Sequence, residues 1–148
     1  MFKTTDVQKL REMTGAPVMD CKRALQDASG DFDKAITLIN ERGLVKAQEK
    51  ASREANAGIV ESYIHNSRVG VMLELFCETD FVCRSDPFRE LAHDLALQIA
   101  AMDPKDLAEL LEQPYIKDEK IRIDELVKGV VARVGENVRV GRFIRYEI

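Results

Sequence analysis

"GIVESYIHNSRVGVMLELFCET", residues 58–79, is the stretch that decides the fold class of this sequence. Before it, apolar residues recur at the spacing of amphipathic helices, whereas here they alternate with polar residues, which is typical of half-buried strands. Asn66-Ser67 separates two alternating runs and predicts an antiparallel hairpin. The segment 137–148, "NVRVGRFIRYEI", alternates in the same way and predicts a third strand. An antiparallel three-stranded sheet packed with helices makes residues 58–148 an α+β core.

The helices expected around this sheet follow from the spacing of apolar residues. "DPFRELAHDLALQIAAM" begins with Asp86 as the cap and Pro87 at the first helical position. Its spacing predicts a buried stripe of Phe88, Leu91, Leu95, Ile99 and Met102. His93 falls off this stripe and is expected at the surface. A short helix ends at Pro114, and a later helix that stops near Gly135 carries a stripe of Ile123, Val127, Val130, Val131 and Val134.

Residues 1–43 predict a module of three short helices. The turn "TGA" ends the first helix, Pro17 opens the second, and Asp31 caps the third. Gly43 is placed as the C-terminal stop of the third helix. The expected inward faces of the second and third helices are Val18, Cys21, Leu25 and Ala28, and Phe32, Ala35, Ile36 and Ile39. Residues 44–57 predict a helical linker, with a basic helix that docks on a partner as the alternative.

The totals describe a globular protein of ordinary composition. The chain has 148 residues, of which 45% are hydrophobic and 32% are charged. Its net charge of −4 argues against a basic nucleic-acid binder. No apolar run is long enough to cross a bilayer, and the first residues lack the apolar core of a signal peptide. We therefore expect a cytoplasmic protein without membrane contact.

The last strand holds the one local pattern that favours nucleic-acid binding. Arg139, Arg142 and Arg145 lie beside two aromatic residues, and such rings can stack on bases. Strict alternation places on one face Val138, Val140, Ile144, Tyr146 and Ile148. Arg139 and Arg145 then point the other way with Phe143, whereas Arg142 falls on the apolar side. Because the arginines form no single stripe, we expect a sheet with one solvated face and no direct nucleic-acid partner.

Signatures of catalysis and of metal binding are weak in this sequence. It has no glycine-rich phosphate loop, no Gly-x-Ser-x-Gly elbow and no His-Glu-x-x-His pair, so we do not expect an enzyme. Three cysteines, an odd number, argue against a disulfide framework. Cys77 and Cys83, six residues apart with His65 and His93 nearby in the sequence, raise the question of a zinc site. Because their spacing matches none of the common ligand pairs, we expect structural cysteines and neither a metal nor a cofactor.

Thr79, Asp80, Phe81 and Val82 form the most conspicuous motif, directly after the second strand. Phe81 has two possible roles: a core residue under the following helix, or a protruding wedge that enters the pocket of a partner. Burying its ring in a partner contributes about 1.5–3 kcal/mol. Asp80 beside it can compete for cations or hydrogen-bond donors of that partner.

Four separated motifs carry a resemblance to a known family. They are "LREMTGAPVMDCKRALQDASGDFDKAI", "ETDFVCRSDPF", "EQPYIKD" and "VGENVRVGRFIRYE", in this order and over nearly the whole chain. On these residues the sequence resembles the bacterial elongation factor Ts family. The first motif resembles the family's ubiquitin-associated-like three-helix module, and the others resemble its core.

The resemblance implies a guanine nucleotide exchange factor for elongation factor Tu. Such a factor binds the GDP form, promotes loss of magnesium and GDP, and is displaced once GTP enters. The family's Thr-Asp-Phe-Val motif falls on residues 79–82, which implies that Phe81 wedges into the GTPase domain and that Asp80 helps to disturb its magnesium site. The residues that match the family's docking module on the same domain are Thr14, Gly15, Ala16 and Met19.

The sequence also departs from the family. Longer members carry a second core unit and a protruding helical hairpin, so this chain resembles the short form, in which two chains supply what one long chain supplies. The resemblance therefore implies a homodimer that pairs through sheet surface near the last strand. Pro17 and Cys83 stand where the family usually has other residues. Two alternatives remain: a generic protein-binding adaptor that uses residues 1–43, and an RNA- or single-strand-binding protein whose salt-dependent affinity depends on Arg139 and Arg145.

Overall fold

The computed structural model describes residues 1–148 as an α+β protein, which confirms the fold class expected from the sequence. A helical N-terminal part precedes an antiparallel three-stranded sheet covered by helices on one face. The elements are α1 (Thr4–Thr14), α2 (Val18–Asp27), α3 (Phe32–Lys50), β1 (Ala57–His65), β2 (Val69–Cys77), α4 (Asp80–Cys83), α5 (Asp86–Met102), α6 (Leu107–Glu112), β3 (Pro114–Tyr115), β4 (Asp118–Arg122), α7 (Ile123–Val134) and β5 (Arg139–Glu147).

The first three helices surround a small core of their own. Gly15 ends α1 in the left-handed conformation, with φ of 68°, and Asp31 caps α3 by accepting a hydrogen bond from the main-chain N–H of Lys34. Both helix boundaries agree with the sequence-based expectation. The buried residues of this core are Val7, Leu10, Ala16, Cys21, Ala24, Leu25, Ala28 and Ala35. Val18 was expected among them, but it lies at the solvent-exposed start of α2.

Gly43 does not end the third helix, so that expectation is wrong. The helix α3 continues to Lys50 and takes in the first part of the segment expected to be a linker. A Cβ atom added at Gly43 would lie 3.3 Å from the Cβ atom of Ala132 in α7. The glycine therefore permits a close approach of α3 and α7 rather than a helix stop. The division of the chain at residues 43 and 57 stays a prediction.

The three-stranded sheet has the order β1-β2-β5, with both neighbouring pairs antiparallel. The hairpin between β1 and β2 is confirmed. Asn66 and Ser67 have φ values of 51° and 58°, and the N–H of Arg68 donates to the carbonyl of His65 over 3.0 Å. Two successive positive φ values give the tight turn whose twist suits an antiparallel hairpin.

A bulge in β5 overturns the strict alternation expected for the last strand. Leu73 pairs with Phe143 but Leu75 pairs with Val140, so β5 carries one extra residue between these pairs. The extra residue reverses the facing of the strand beyond it. Phe143 consequently packs against the core on the side of Val140. Ile144, Tyr146 and Ile148 are exposed and do not share the face of Val138 and Val140.

The helix α5 has the expected buried stripe with a change at each end. Phe88, Leu91, Leu95 and Ile99 are buried as predicted, and His93 is exposed. Met102 is exposed because the helix ends there, before Asp103 in the left-handed conformation. Ser85 occupies the cap position expected for Asp86, and its hydroxyl donates to the carbonyl of Val82 over 2.7 Å. Asp86 is therefore the first residue of the helix.

Sequence reasoning missed the small two-stranded sheet of β3 and β4. Gln98, fully buried in α5, explains how this sheet attaches to the core. Its amide group donates to the carbonyl of Pro114 and accepts from the N–H of Ile116, over 3.1 Å and 2.9 Å. A buried amide must satisfy its hydrogen-bonding groups, so this contact fixes the β3 segment beside α5.

Candidate functional site

The motif at residues 79–82 lies at the end of β2 and divides into anchoring and solvent-facing residues. Val82 is 4% exposed and packs in the main core with Cys83. Phe81 is 80% exposed, which is exceptional for a phenylalanine in a folded domain. Asp80 is exposed as well, and its carboxylate makes no hydrogen bond or ion pair within the chain. Of the two roles left open for Phe81, that of a core residue under the following helix is therefore wrong.

The main chain that carries Phe81 is held in place by polar contacts. Oε1 of Glu136 accepts hydrogen bonds from the N–H groups of Glu78 and Thr79 over 3.1 Å and 3.0 Å, and Oε2 accepts from the Thr79 hydroxyl over 2.7 Å. In return, the N–H of Asn137 donates to the Glu78 carboxylate over 2.8 Å. Hydrogen bonds thus hold the segment before Phe81 against the corner between α7 and β5.

Further polar contacts connect this corner to the segment that follows α3. The buried side chain of Asn137 donates to the carbonyl of Arg53 over 2.7 Å, and Arg53 forms an ion pair with Glu78 at 3.7 Å. Sequence reasoning missed Glu136 and Asn137 as residues of the site. Their position directly after the helix-ending Gly135, inside the family-like motif "VGENVRVGRFIRYE", was the available signal.

The residues expected to dock the N-terminal module have unequal exposure. Met19 is exposed, with Met13 and Val18 as exposed apolar neighbours in sequence. Ala16 is buried in the module, so it supports the loop and does not offer a surface. Thr14 also acts on the loop: its hydroxyl donates to the carbonyl of Leu10 over 2.8 Å and accepts from the N–H of Ala16 over 3.3 Å.

The C-terminal end of α7 lies near the loop of residues 14–16, and Glu136, just beyond the helix, contacts the segment before Phe81. The guanidinium group of Arg133 lies against Gly15, where an added Cβ atom would be 2.9 Å from Nη2 of Arg133. Gly15 is required twice, by its positive φ and by this close approach. Arg133 and Glu136 are three residues apart in the chain, so the end of α7 adjoins both segments that the sequence singled out.

The cysteines and histidines do not converge on one place. Cys77 and Cys83 lie side by side in the main core, with their sulfur atoms 3.0 Å apart. Burial, together with the hydrogen bond to Cys83, raises the pKa of the Cys77 thiol to about 12. His65 and His93 instead flank Tyr63, with ring centroids at 5.9 Å and 6.1 Å from its own. The chain groups no three side chains able to ligate a metal ion.

The side of the sheet that faces away from the helices, which we call the open face, has an apolar part near the hairpin. Its members are each between 45% and 69% exposed: Val60, Ile64, Met72, Ile144 and Tyr146. Because the bulge in β5 turns Ile144 and Tyr146 outward, they join residues of β1 and β2 here. Contiguous exposed apolar patches are candidate binding surfaces, so the open face is a second candidate site.

The other part of the open face is occupied by internal polar contacts. Nε and Nη2 of Arg142 donate to the Glu74 carboxylate over 2.9 Å and 2.8 Å, and this contact lowers the pKa of Glu74 to about 2. The guanidinium of Arg139 stacks over the Phe76 ring at 4.1 Å. Arg145 lies on the opposite side and donates to the carbonyl of Ala100. Strict alternation had placed Arg139 and Arg145 together, which is wrong, and the three arginines present no common surface.

Comparison with known proteins points to one family. The family model described as Elongation factor TS matches residues 78–148, which include Phe81 and Glu136. A protein named elongation factor Ts from Thermodesulfovibrio yellowstonii is 41% identical over 186 aligned positions, covering 96% of this chain and 94% of the relative. The protein of the same name from Thermotoga maritima is 40% identical with the same coverage. That from a Synechococcus strain is 42% identical, over 95% of this chain and 72% of its own length.

None of the helices combines the length and the apolar character that spanning a membrane requires.

Proposed function

Because the chain belongs to the elongation factor Ts family, we propose that it is the guanine nucleotide exchange factor for elongation factor Tu, acting in the cytoplasm. The observation that carries this proposal is the 80% exposure of Phe81 on a main chain that is fixed by hydrogen bonds. An isolated, rigidly mounted aromatic ring fits insertion into a pocket better than contact with a flat surface. Insertion there would promote loss of magnesium and GDP.

The thermodynamics of exchange requires no covalent chemistry from the factor. A protein speeds nucleotide release when it binds the nucleotide-free partner more tightly than the nucleotide-bound one. The coupling is reciprocal, so GDP weakens binding of the factor as much as the factor weakens binding of GDP. Phe81 supplies apolar binding energy that is available only once its pocket opens. The exchange role therefore places its demands on shape and on charge.

Asp80 is the residue that we assign to the magnesium site of the GTPase. Magnesium offsets the charge of the nucleotide phosphates, and its ligands form an ordered network. The Asp80 carboxylate is exposed beside the wedge and free of internal partners, so it can compete for the donors that hold this network. Thr79 and Val82 hold the segment from behind, through Glu136 and through the core.

The N-terminal module provides the second contact with the same GTPase domain. Met19 gives the apolar contact, whereas Thr14, Gly15 and Ala16 shape the loop that precedes its helix. This module would hold the factor on the partner before and after the wedge enters. The nucleotide-free and GDP-bound forms of elongation factor Tu are accordingly both partners in the proposal.

The open face supports a homodimer of this chain. A flat sheet with Val60, Met72 and Ile144 half exposed is suited to pairing with a second copy, since both copies present the same apolar surface. The location agrees with the pairing near the last strand that the resemblance implies. Two chains would then offer two wedges and two modules to the partner.

The experiment that tests the function is stopped-flow release of a fluorescent GDP from elongation factor Tu. We expect the native protein to accelerate release and Phe81→Ala to lose roughly ten- to hundredfold of that acceleration, the equivalent of burying one aromatic ring. Because Phe81 makes little contact within its own chain, the variant should keep the native melting temperature. Ile116→Ala, which shortens an exposed apolar residue at the β3–β4 turn, serves as the control.

Two results would contradict the proposal at different levels. No acceleration by the folded native protein would refute the exchange function. Full acceleration by Phe81→Ala would keep the function but refute the wedge, and it would transfer the mechanism to the N-terminal module or to the open face.

A further inference from the structure

We infer that Glu136 is the positioning residue that sets the direction of the Phe81 wedge, and that exchange depends on it although it need not touch the partner. The inference rests on the proposed function and assigns a role to a residue outside the wedge motif. Its basis is the set of three hydrogen bonds that one carboxylate receives from Glu78 and Thr79.

The helix that carries Phe81 cannot fix its own direction. It has four residues, and a single helical turn is unstable without outside support. Its internal cap is weak, because the N–H of Val82 reaches the Thr79 hydroxyl at 3.4 Å. The burial of Val82 and Cys83 holds the far end of the turn. The near end, where the chain leaves β2, depends on Glu136.

The hydrogen bonds that the Glu136 carboxylate accepts are of a strong type. An ionised carboxylate accepts hydrogen bonds more strongly than a neutral group does. It binds two successive main-chain N–H groups through one oxygen, and the Thr79 hydroxyl through the other. Three donors on two successive residues leave the main chain before Asp80 little freedom to rotate. Phe81, two residues further on, inherits this restriction.

A restriction of this kind affects binding more than it affects folding. Ordering a segment on binding costs free energy, and a segment that is ordered beforehand avoids that cost. The ring of Phe81 contributes little to the core of its own chain, since most of it is in solvent. Loss of the Glu136 contacts should therefore leave the fold intact while the wedge samples unproductive directions.

Glu136 also links the wedge to the docking module. It comes three residues after Arg133, whose guanidinium group lies against Gly15 in the docking loop. The side chain of the neighbouring Asn137 donates to the carbonyl of Arg53, shortly after the end of α3. The corner between α7 and β5 thus fixes the two partner-facing segments to the same piece of structure, which a two-point contact with one GTPase domain requires.

The test combines a measurement on the free protein with one on exchange. In the free, ¹⁵N-labelled protein, we expect the amide hydrogens of Glu78 and Thr79 to exchange with solvent at least tenfold faster in Glu136→Ala than in the native chain. In GDP release from elongation factor Tu, we expect Glu136→Ala to lower the maximal rate at saturating factor roughly tenfold. The concentration that gives half-maximal rate should change less than twofold, because the module still docks.

Comparing the maximal rate with the half-saturating concentration distinguishes a positioning role of Glu136 from a role in stability. A variant that is merely less folded has fewer active molecules, so a higher concentration restores the native maximal rate. A misdirected wedge cannot be restored in this way. Glu136→Gln keeps an acceptor for the two N–H groups and should stay within about threefold of the native rate, whereas Glu136→Asp keeps the charge but falls short in reach. Glu119→Gln, which changes an exposed carboxylate of β4, is the matched control.

The outcomes are distinguishable. Folded Glu136→Ala and Glu136→Asp variants with the native maximal rate would overturn the inference, as would native amide protection at Thr79 in both. If Glu136→Ala does not fold, Glu136→Asp decides by the same two measurements. A native protein without exchange activity would refute the proposed function and the role of Glu136 in exchange, while the amide measurement would still report whether Glu136 orders the segment.

Discussion

The two ends of the central sheet expose apolar groups in opposite ways. At the end of β2, a single ring stands out on a main chain that is tied down by hydrogen bonds to Glu136. Near the hairpin, several side chains of the open face are each about half exposed and lie side by side. The first arrangement suits insertion into a pocket, and the second suits pairing of two flat surfaces. Exposure alone does not distinguish them, but the support behind the exposed group does.

The two surfaces also arise from different local causes. The exposed position of Phe81 results from a polar pair, Thr79-Asp80, that follows β2 and starts a short helical turn. The apolar open face results from one extra residue in β5, which turns Ile144 and Tyr146 away from the core. Each surface can therefore be changed without the other.

The largest change should follow from placing a charge on the open face. Met72 lies in the central strand β2, opposite Ile144, so a lysine there would be buried against its own copy in a homodimer. An unpaired charge buried at an interface is strongly unfavourable. We expect Met72→Lys to be monomeric at micromolar concentrations at which the native chain is dimeric, as measured by sedimentation.

An unchanged oligomeric state of Met72→Lys would contradict the assignment of the open face as the homodimer interface. Met102→Lys is the matched control, because Met102 is similarly exposed but lies at the end of α5. A native chain that sediments as a monomer and is fully active in exchange would refute the homodimer. In the Met72→Lys variant, Phe81 and Glu136 should keep their contacts, so the amide protection of Thr79 should be native.

The sequence predicts the surroundings of the exposed Phe81 better than it predicts the open face. The alternation of residues 58–79 and the turn at Asn66-Ser67 depend on neighbours in the chain, and both are confirmed. Phe81 stood out because an aromatic residue follows a polar pair, which is again local. The bulge in β5 depends on how that strand meets β2, and a period of two cannot report it. The outward turn of Ile144 was therefore unpredictable from the alternation.

The contacts of Glu136 and Gly43 show the same limit. Glu136 reaches Thr79 across 57 positions of the chain, and no spacing rule connects residues so far apart. A glycine such as Gly43 is a common helix stop, but here it permits the close approach of Ala132 in α7, and the helix continues. Local signals predicted most elements and their ends. Long-range packing determined the end of α3 and the contacts of Glu136 with Thr79, which local signals do not report.

A smaller effect is expected at the module, which offers a third kind of apolar exposure. Met19 lies on α2 with about half of its side chain in solvent, without the rigid support of Phe81. Met19→Ala should remove about 1 kcal/mol of apolar contact with the partner and raise the half-saturating concentration in GDP release roughly fivefold. The maximal rate should not change, since the wedge is intact. Val45→Ala, an exposed apolar residue of α3, is the control.

The smallest effect concerns the polar part of the open face and depends on pH. Hydrogen bonds from the Arg142 side chain and main chain lower the pKa of Glu74 from 4.5 to about 2. A carboxyl group whose pKa is lower in the folded state stabilises that state above the unfolded pKa, and the contribution disappears as pH falls through the folded pKa. The denaturation midpoint of the native chain should therefore exceed that of Glu74→Gln slightly and by a constant amount down to about pH 5. The difference should shrink between pH 4.5 and pH 2. Since both side chains are at the surface, high salt should reduce it as well. Glu119→Gln, which lacks such a partner, should show no such trend, and a difference that persists at pH 2 would mean that Glu74 acts through packing and not through its charge.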